Sequence, residues 1–345
     1  MPVYIGVDFH ARQQTVSYLT TEDGEIRRVE LDHGQPAAVR AFYEQFAGEQ
    51  VIVGFEASGY AAWFEELLEE LGYEIWLGHA TAIRSFARRR QKNDRRDADL
   101  ILDLLWCGDF PRIHRYSPES RAVLQQLRYR QRLVKMRTMV VNSLVYMASS
   151  RGVTIRTQLK SRRGVERLQQ MSFPEPLRQH RDELCQLLQV LKVKITQVES
   201  ELEAQAGADK RVQRLRTHYG IGPLTGLCLV HTLECVERFA NSRKVTAFVG
   251  FDPVEDSSGA RRRIGAISKQ GSRLLRFFLV EAGQIAIRKD QDLARVYRRV
   301  LIRRGQAKAK VAIARRLLVR AFIMLRDEID YAEFQQRGVV ARSSR

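Results

Sequence analysis

Three strand-length segments open the chain with no helical spacing between them. "VYIGVDF" (residues 3–9) is a buried-type apolar run, and "QQTVSYLT" and "EIRRVEL" continue it as an antiparallel meander joined by the turn "EDGE". Strand and helix then alternate. "PAAVRAFYEQFAG" has helical apolar spacing closed by Gly48, "VIVGFEA" is a fourth strand, and "YAAWFEELLEELG" is an amphipathic helix ending at Gly72. "YEIWLG" follows as a fifth strand and "DADLILDLLWCG" as a helix ending at Gly108. This pattern predicts an α/β layer built on a mixed sheet.

The carboxylates fall at telling places in that pattern. Asp8 ends the first strand and Glu56 ends the fourth, while Asp94 and Asp97 in "QKNDRRDADL" stand three apart at a helix start and share a face. The functional crevice of an open α/β sheet lies beyond the strand ends. Four carboxylates converging there would make an all-oxygen site for two magnesium ions roughly 4 Å apart, an arrangement that breaks or joins phosphodiesters. Each residue has an ordinary role as well: Asp8 as a turn residue, Glu56 as a solvated strand end, Asp94 or Asp97 as a helix cap with its dipole-stabilising neighbour. Singly, the ordinary role is the better reading. The coincidence of a first-strand Gly-x-Asp, the "EASGY" turn and the "KNDRRDA" helix start favours a site. Asp99 points elsewhere on the helix and is set aside with Asp103.

Charge separates this segment from the rest. Fourteen Asp or Glu stand against four Arg and no Lys through residue 80, so a formal +28 of the overall +18 rests on residues 81–345. A load of that size spread over helices suits a polyanion whose phosphates exchange their counterions for protein cations. Membrane lipid fits less well, because no strongly apolar face accompanies the basic runs, and no stretch approaches the roughly 18 apolar residues of a span. A cytoplasmic location is expected, with Cys107, Cys185, Cys228 and Cys235 as buried reduced thiols, since they show no CxxC pair.

Two long helical patterns with heptad-like leucine and valine spacing occupy the middle of the chain. They are "SPESRAVLQQLRYRQRLVKMRTMVVNSLVYMAS" and "DELCQLLQVLKVKITQVESELEAQA", separated by a break marked by Gly and Pro. They predict an antiparallel hairpin or a dimerising coiled coil. Arg128, Arg132 and Arg137 on the first are candidate nucleic-acid contacts. Further on, "GIGPLTG" has the form of a helix-hairpin-helix turn, whose glycines let backbone amides approach phosphate. In "VGFDPVEDSSGARRRIGAISKQGSRLLR" two serines sit in a loop ended by glycine, followed by Arg261, Arg262 and Arg263. A loop serine is usually a turn former. Three adjacent guanidinium groups bind phosphate and stabilise developing charge, which makes a serine nucleophile reasonable.

At these residues the sequence resembles the insertion sequence 110 family of transposases. "YIGVDFH", "FEASGY" and "KNDRRDADL" look like its three acidic motifs, which carry an Asp-Glu-Asp-Asp tetrad on a domain similar to the RuvC resolvase and to ribonuclease H. The resemblance implies that Asp8, Glu56, Asp94 and Asp97 bind Mg2+, and that the loop serine before glycine, Ser258, is the nucleophile, with Ser257 as its neighbour in contention. It also implies a coiled-coil segment that aids dimerisation and holds a noncoding RNA, with tetrad and serine drawn from different subunits. By the same resemblance, that bridge RNA pairs with donor and target double-stranded DNA while the protein cuts and exchanges strands.

The expected organisation is therefore a RuvC-like α/β domain at 1–115, a helical hairpin or coiled coil at 116–206, a mainly α transposase domain with the serine loop at 207–332, and a polar tail at 333–345. The expected protein is a DNA transposase or recombinase acting as a homodimer or homotetramer, bound to DNA and RNA and not to membrane, associated with the nucleoid. The alternative is a RuvC-like structure-selective endonuclease that uses metal-activated water.

Overall fold

In the computed structural model, β1 (Val3–Phe9), β2 (Gln13–Leu19) and β3 (Ile26–Asp32) form the meander, and β4 (Val51–Glu56) and β5 (Glu74–Gly78) extend the sheet beyond β1. The structure describes residues 2–20, 24–87, 94–155, 159, 161–255 and 264–343, with backbone alone at 94, 162, 264 and 338–343. The strand order is β3-β2-β1-β4-β5. β1 runs antiparallel to β2 and parallel to β4, and β4 runs parallel to β5.

Two layers of helix cover this sheet. α1 (Pro36–Glu44) and α2 (Ala62–Glu70) lie on one face, where Val3, Ile5, Val7 and Phe9 of β1 pack with Val53, Phe55, Phe64 and Leu68. The intervening residues of β1 face the other way, as the period of two requires. That side receives the short α3 (Ala80–Phe86) and then α4 (Asp94–Trp106). A Cβ on Gly6 would stand 2.5 Å from the Leu102 amide nitrogen, and one on Gly54 would stand 2.7 Å from a Leu105 methyl. Glycine at these two positions is what lets α4 lie directly on β1 and β4.

The chain divides into two compact units, Met1–Tyr116 and Ser117–Arg345. The second is mostly helical and begins with α5 (Pro118–Ser149), α6 (Arg162–Gln169) and α7 (Leu177–Ala208). Ser117 caps α5 by accepting from the Ser120 amide at 3.1 Å. Gln126 on α5 bonds Glu201 and Gln205 on α7, and Arg130 bonds Glu199, so the two long helices run side by side in opposite directions. They continue into α8 (Lys210–Arg216), α9 (Pro223–Leu233) and α10 (Ser242–Val249). α9 is buried from Thr225 to Leu233 and packs against α5, α7, α8 and α11, the last defined below.

A small antiparallel hairpin, β6 (Pro253–Glu255) and β7 (Ile264–Ile267), interrupts the helices before α11 (Arg273–Ala286), α12 (Gln291–Arg304), α13 (Gln306–Arg326) and α14 (Tyr331–Ser343). Its base is tied down. Ser268 donates to the Asp252 carboxylate at 2.6 Å, and Arg276 donates to the carbonyls of Val249 and Gln270. Gly250 and Gly271, at φ +79° and +82°, allow the two chain segments to touch backbone to backbone.

Three expectations change. Cys185 and Cys228 are buried, but Cys107 and Cys235 are exposed, because Cys107 follows the last turn of α4 and Cys235 lies in the link after α9. Gly220 of the "GIGPLTG" turn has φ +87°, and its Cβ position falls 2.3 Å from the Ala282 carbonyl oxygen, so this glycine serves the crossing of the turn with α11 rather than an open phosphate cradle. The polar tail opens as α14, held by Tyr331, which is buried, and by stacking of Tyr331 on Phe334. Among the described residues no helix is long and apolar enough to cross a membrane.

Candidate active site

Val7 of β1 pairs with Phe55 of β4 in parallel register. The next residue on each strand is a carboxylate, so Asp8, one residue before the end of β1, and Glu56, the last of β4, stand side by side at the roughly 4.8 Å spacing of neighbouring strands. Both belong to the set that faces α4, because Asp8 follows Gly6 at the strand's period of two.

The path of α4 over this face can be traced row by row. Trp106 meets Tyr4 edge-on with ring centroids 5.5 Å apart, and the backbone at Ala98 and Leu102 lies over Gly6. Gly6, Ser17 and Arg28 form one row across β1, β2 and β3, and Asp99 accepts from Ser17 at 2.7 Å and from Arg28 at 2.8 Å. Asp8, Thr15 and Glu30 form the next row towards the strand end, and Arg95 reaches Glu30 at 3.2 Å. The helix therefore delivers its first turn to the row that contains Asp8.

Helical spacing then assigns the flanks. Asp99 lies on the β2 and β3 side, where its bonds are structural. Asp97 precedes Ile101 by one turn, and Ile101 packs with Ile52 of β4 and Ile83 of α3. The half-buried Asp97 thus stands on the flank of the strand that ends in Glu56. Asp94 occupies the first position of α4, one turn before Ala98; its side chain lies outside the described residues. Ser257, Ser258, Arg261, Arg262 and Arg263 also lie outside them, in the link between β6 and β7.

Basic side chains already attend the strand-end acids. His10 Nε2 lies 3.1 Å from Asp8 Oδ2, and Arg84 of α3 lies 3.4 Å from Glu56 Oε1. His10 was legible as a neighbour, since it falls two residues after Asp8. Arg84 was not, because nothing in "ATAIRSF" marks a helix that returns to β4. Among the described residues no three His, Cys, Asp or Glu side chains form a ready ligand cluster. The donor set Asp8, Glu56 and Asp97 is nevertheless all carboxylate oxygen, which suits a hard divalent ion.

On α5, Arg128 and Arg132 are exposed and Arg137 is half-buried near Lys192, whose ammonium is pushed down in pKa by burial and by Arg137. Two histidines of the second unit are core residues: His218 and His231 are buried, and His231 Nδ1 lies 3.0 Å from the Ser120 hydroxyl.

Residues 5–147 match the DEDD transposase family of IS110 elements, and residues 212–298 match the family described as Transposase IS116/IS110/IS902. The chain belongs to the IS110 family of transposases. It is 27% identical over 294 residues to a probable family 20 transposase of Pseudomonas aeruginosa, covering 82% of this chain and 84% of that one. It is 30% identical over 236 residues to the transposase for insertion sequence element IS1111A of Coxiella burnetii, covering 66% and 64%. A third relative, the transposase for insertion sequence element IS1328 of Yersinia enterocolitica, is 26% identical over 255 residues, covering 69% and 71%. The first family match spans the α/β unit from within β1 onward and most of α5, and the second runs from α8 into α12, so this IS110 transposase carries the two regions in which its candidate site residues fall.

Proposed function

We propose that this transposase cuts and exchanges DNA strands with Asp8, Glu56, Asp94 and Asp97 as a divalent-metal tetrad, Mg2+ by preference, and with Ser258 as the nucleophile. The observation that carries the reading is the meeting of three elements: Asp8 and Glu56 lie at the ends of neighbouring parallel strands, and the first turn of α4 lies over the same row. On this reading the first unit is RuvC-like, a ribonuclease H fold, as its strand order supports. The second unit divides into a helical coiled-coil hairpin to about residue 206, a transposase domain to about 332 and the terminal segment.

A metal held by the tetrad supplies Lewis acidity at the phosphate and charge neutralisation. The protein's own groups do the rest. The Ser258 oxygen bonds to phosphorus as the bond from phosphorus to a deoxyribose oxygen breaks, the serine proton passing to the departing oxygen. Arg261, Arg262 and Arg263 hold the charged phosphate. The ester conserves the bond energy, so rejoining by the reverse step on a new strand needs no nucleotide hydrolysis.

Arg128, Arg132 and Arg137 contact nucleic acid, and the guide is a noncoding bridge RNA paired with donor and target DNA. Tyr129, Met136, Met139 and Tyr146 on α5 and Leu187, Val190 and Val193 on α7 are exposed apolar residues, which supports a homodimer or homotetramer built on this hairpin.

The tetrad is tested by Asp8→Asn, Glu56→Gln and Asp97→Asn. Each is expected to lower DNA cleavage roughly a thousandfold, the loss of several kcal/mol of transition-state stabilisation, while DNA binding persists. Full cleavage by an Asp94→Ala, Asp97→Ala double variant contradicts the metal reading.

A further inference from the structure

The second unit contains a groove of about 1260 Å³ lined by the β6–β7 hairpin, α12 and α13, with Tyr331 and Phe334 of α14. Its floor is aliphatic. Val296 and Val300 on α12 and Val311, Val319 and Ile323 on α13 are half-buried there, at spacings that put each set on one helix face. The turn that faces the two helices together is made by Gly305 at φ +81°. Arg299, Lys308, Arg315 and Arg316 line the same groove and are exposed. The one acid among its described lining residues, Asp292, lies 3.4 Å from Arg295 on its own helix.

An aliphatic floor under a cationic rim selects its occupant. Duplex DNA presents phosphates but keeps its base faces stacked, so it would leave the floor unused. An unpaired strand offers both surfaces: base faces for the floor and phosphates for the rim. Lys308 and Arg315 or Arg316 stand seven or eight residues apart, about 10–12 Å along α13, so they reach more than one phosphate. The wall of the groove is also the hairpin whose connecting residues include Ser258. Strand exchange requires nucleotides beside the attacked phosphate to leave one partner before they pair with another.

We infer that this groove seats the unpaired DNA nucleotides flanking the phosphate that Ser258 attacks, a role that rests on the serine-nucleophile reading above. The nucleotide bases lie on the α12 and α13 aliphatic faces, and Arg315 and Arg316 hold the phosphates.

The test uses the full chain and a short single-stranded DNA oligonucleotide carrying one 5-iodo-2′-deoxyuridine. Irradiation is expected to crosslink it to peptides from α12 or α13. Arg315→Glu with Arg316→Glu should weaken binding at least roughly tenfold and make the log–log salt dependence shallower by about 1.4, two phosphates at about 0.7 each. The glutamine pair should do the same to a smaller degree. Crosslinks confined to other peptides, or unchanged affinity and salt slope in the glutamate variant, overturn the inference. Equal crosslinking of an RNA strand of the same sequence overturns the assignment to DNA. Crosslinking breaks no phosphodiester, so the two readings fail separately. Groove crosslinks in a protein that forms no serine adduct support the strand seat and sink the nucleophile, whereas an adduct without groove crosslinks sinks the seat alone.

Discussion

Two places in this molecule set a carboxylate against an arginine, and they treat it in opposite ways. At the carboxyl ends of β1 and β4, Glu56 is 35% exposed and its partner Arg84 is 64% exposed at 3.4 Å. In the helical unit, Asp290 is 3% exposed and takes the Leu293 amide at 2.8 Å, Arg320 at 2.5 Å and the Tyr331 hydroxyl. An exposed ion pair is worth little and exchanges readily. A saturated buried one is a structural part, costly to break from one side. Burial alone would raise the Asp290 carboxyl, but the Tyr331 hydroxyl, the Leu293 amide and Arg320 together hold its pKa below the usual carboxylate value. The same residue type thus keeps an accessible, exchangeable partner in one unit and is committed to the fold in the other.

The largest expected effect tests that contrast on stability. Asp290→Ala leaves Arg320 without its buried partner and should cost about 3–5 kcal/mol in chemical denaturation. Asp8→Asn or Glu56→Gln should change metal-free stability by no more than about 1 kcal/mol, since the described pairs with His10 and Arg84 lie at the solvent-accessible surface. Comparable losses at the two places would erase the distinction.

A smaller effect concerns pH. His218 is pushed down to about 4 by burial, aided by the Arg320 charge and opposed by its bond with the Tyr219 carbonyl and by the Asp290 charge. It packs on Tyr331 with ring centroids 4.1 Å apart. Because its folded pKa lies below the unfolded value, the unfolded chain binds the proton first on acidification. Stability should therefore fall as pH drops from about 6.5 to about 4, by on the order of 3 kcal/mol from this residue. His218→Phe should flatten the profile across that window; a slope as steep as the parent's would assign the acid sensitivity elsewhere. The strand-end site should show no such linkage to His218.

The mildest test is chemical. Burial pushes the Cys228 thiol up to about 12 and raises Cys185, whereas Cys107 and Cys235 are exposed. An alkylating reagent should label two thiols in the native protein and four after denaturation. Rapid labelling of Cys228 in the native state would show that the helical core opens.

The sheet and its strand-end acids were legible because both follow from local spacing. Asp8 and Glu56 each close an apolar run, and the i, i+3 relation of Asp94 and Asp97 needs only helix geometry. Asp99, set aside on that same geometry, is indeed turned to Ser17 and Arg28. α3 escaped because seven residues with one buried side chain, Ile83, give no periodicity. The β6–β7 hairpin escaped because strands of three and four residues carry no alternation, and its base depends on the contact of Gly250 with Gln270 across the chain. The groove of α12 and α13 read only as a basic helical run, since its two faces exist once Gly305 turns one helix against the other.

Strand exchange through a serine ester is tested most directly by trapping the ester. Reaction with a nicked or suicide DNA substrate, stopped with denaturant and mapped by peptide mass, should yield a phosphoserine-linked adduct on Ser258. Ser258→Ala should lose adduct and strand exchange while retaining DNA and RNA binding. An adduct on Ser257 would move the nucleophile by one residue and leave the mechanism intact. Free 3′-hydroxyl and 5′-phosphate ends, formed equally well by Ser257→Ala and Ser258→Ala proteins, would contradict the claim and make water the nucleophile.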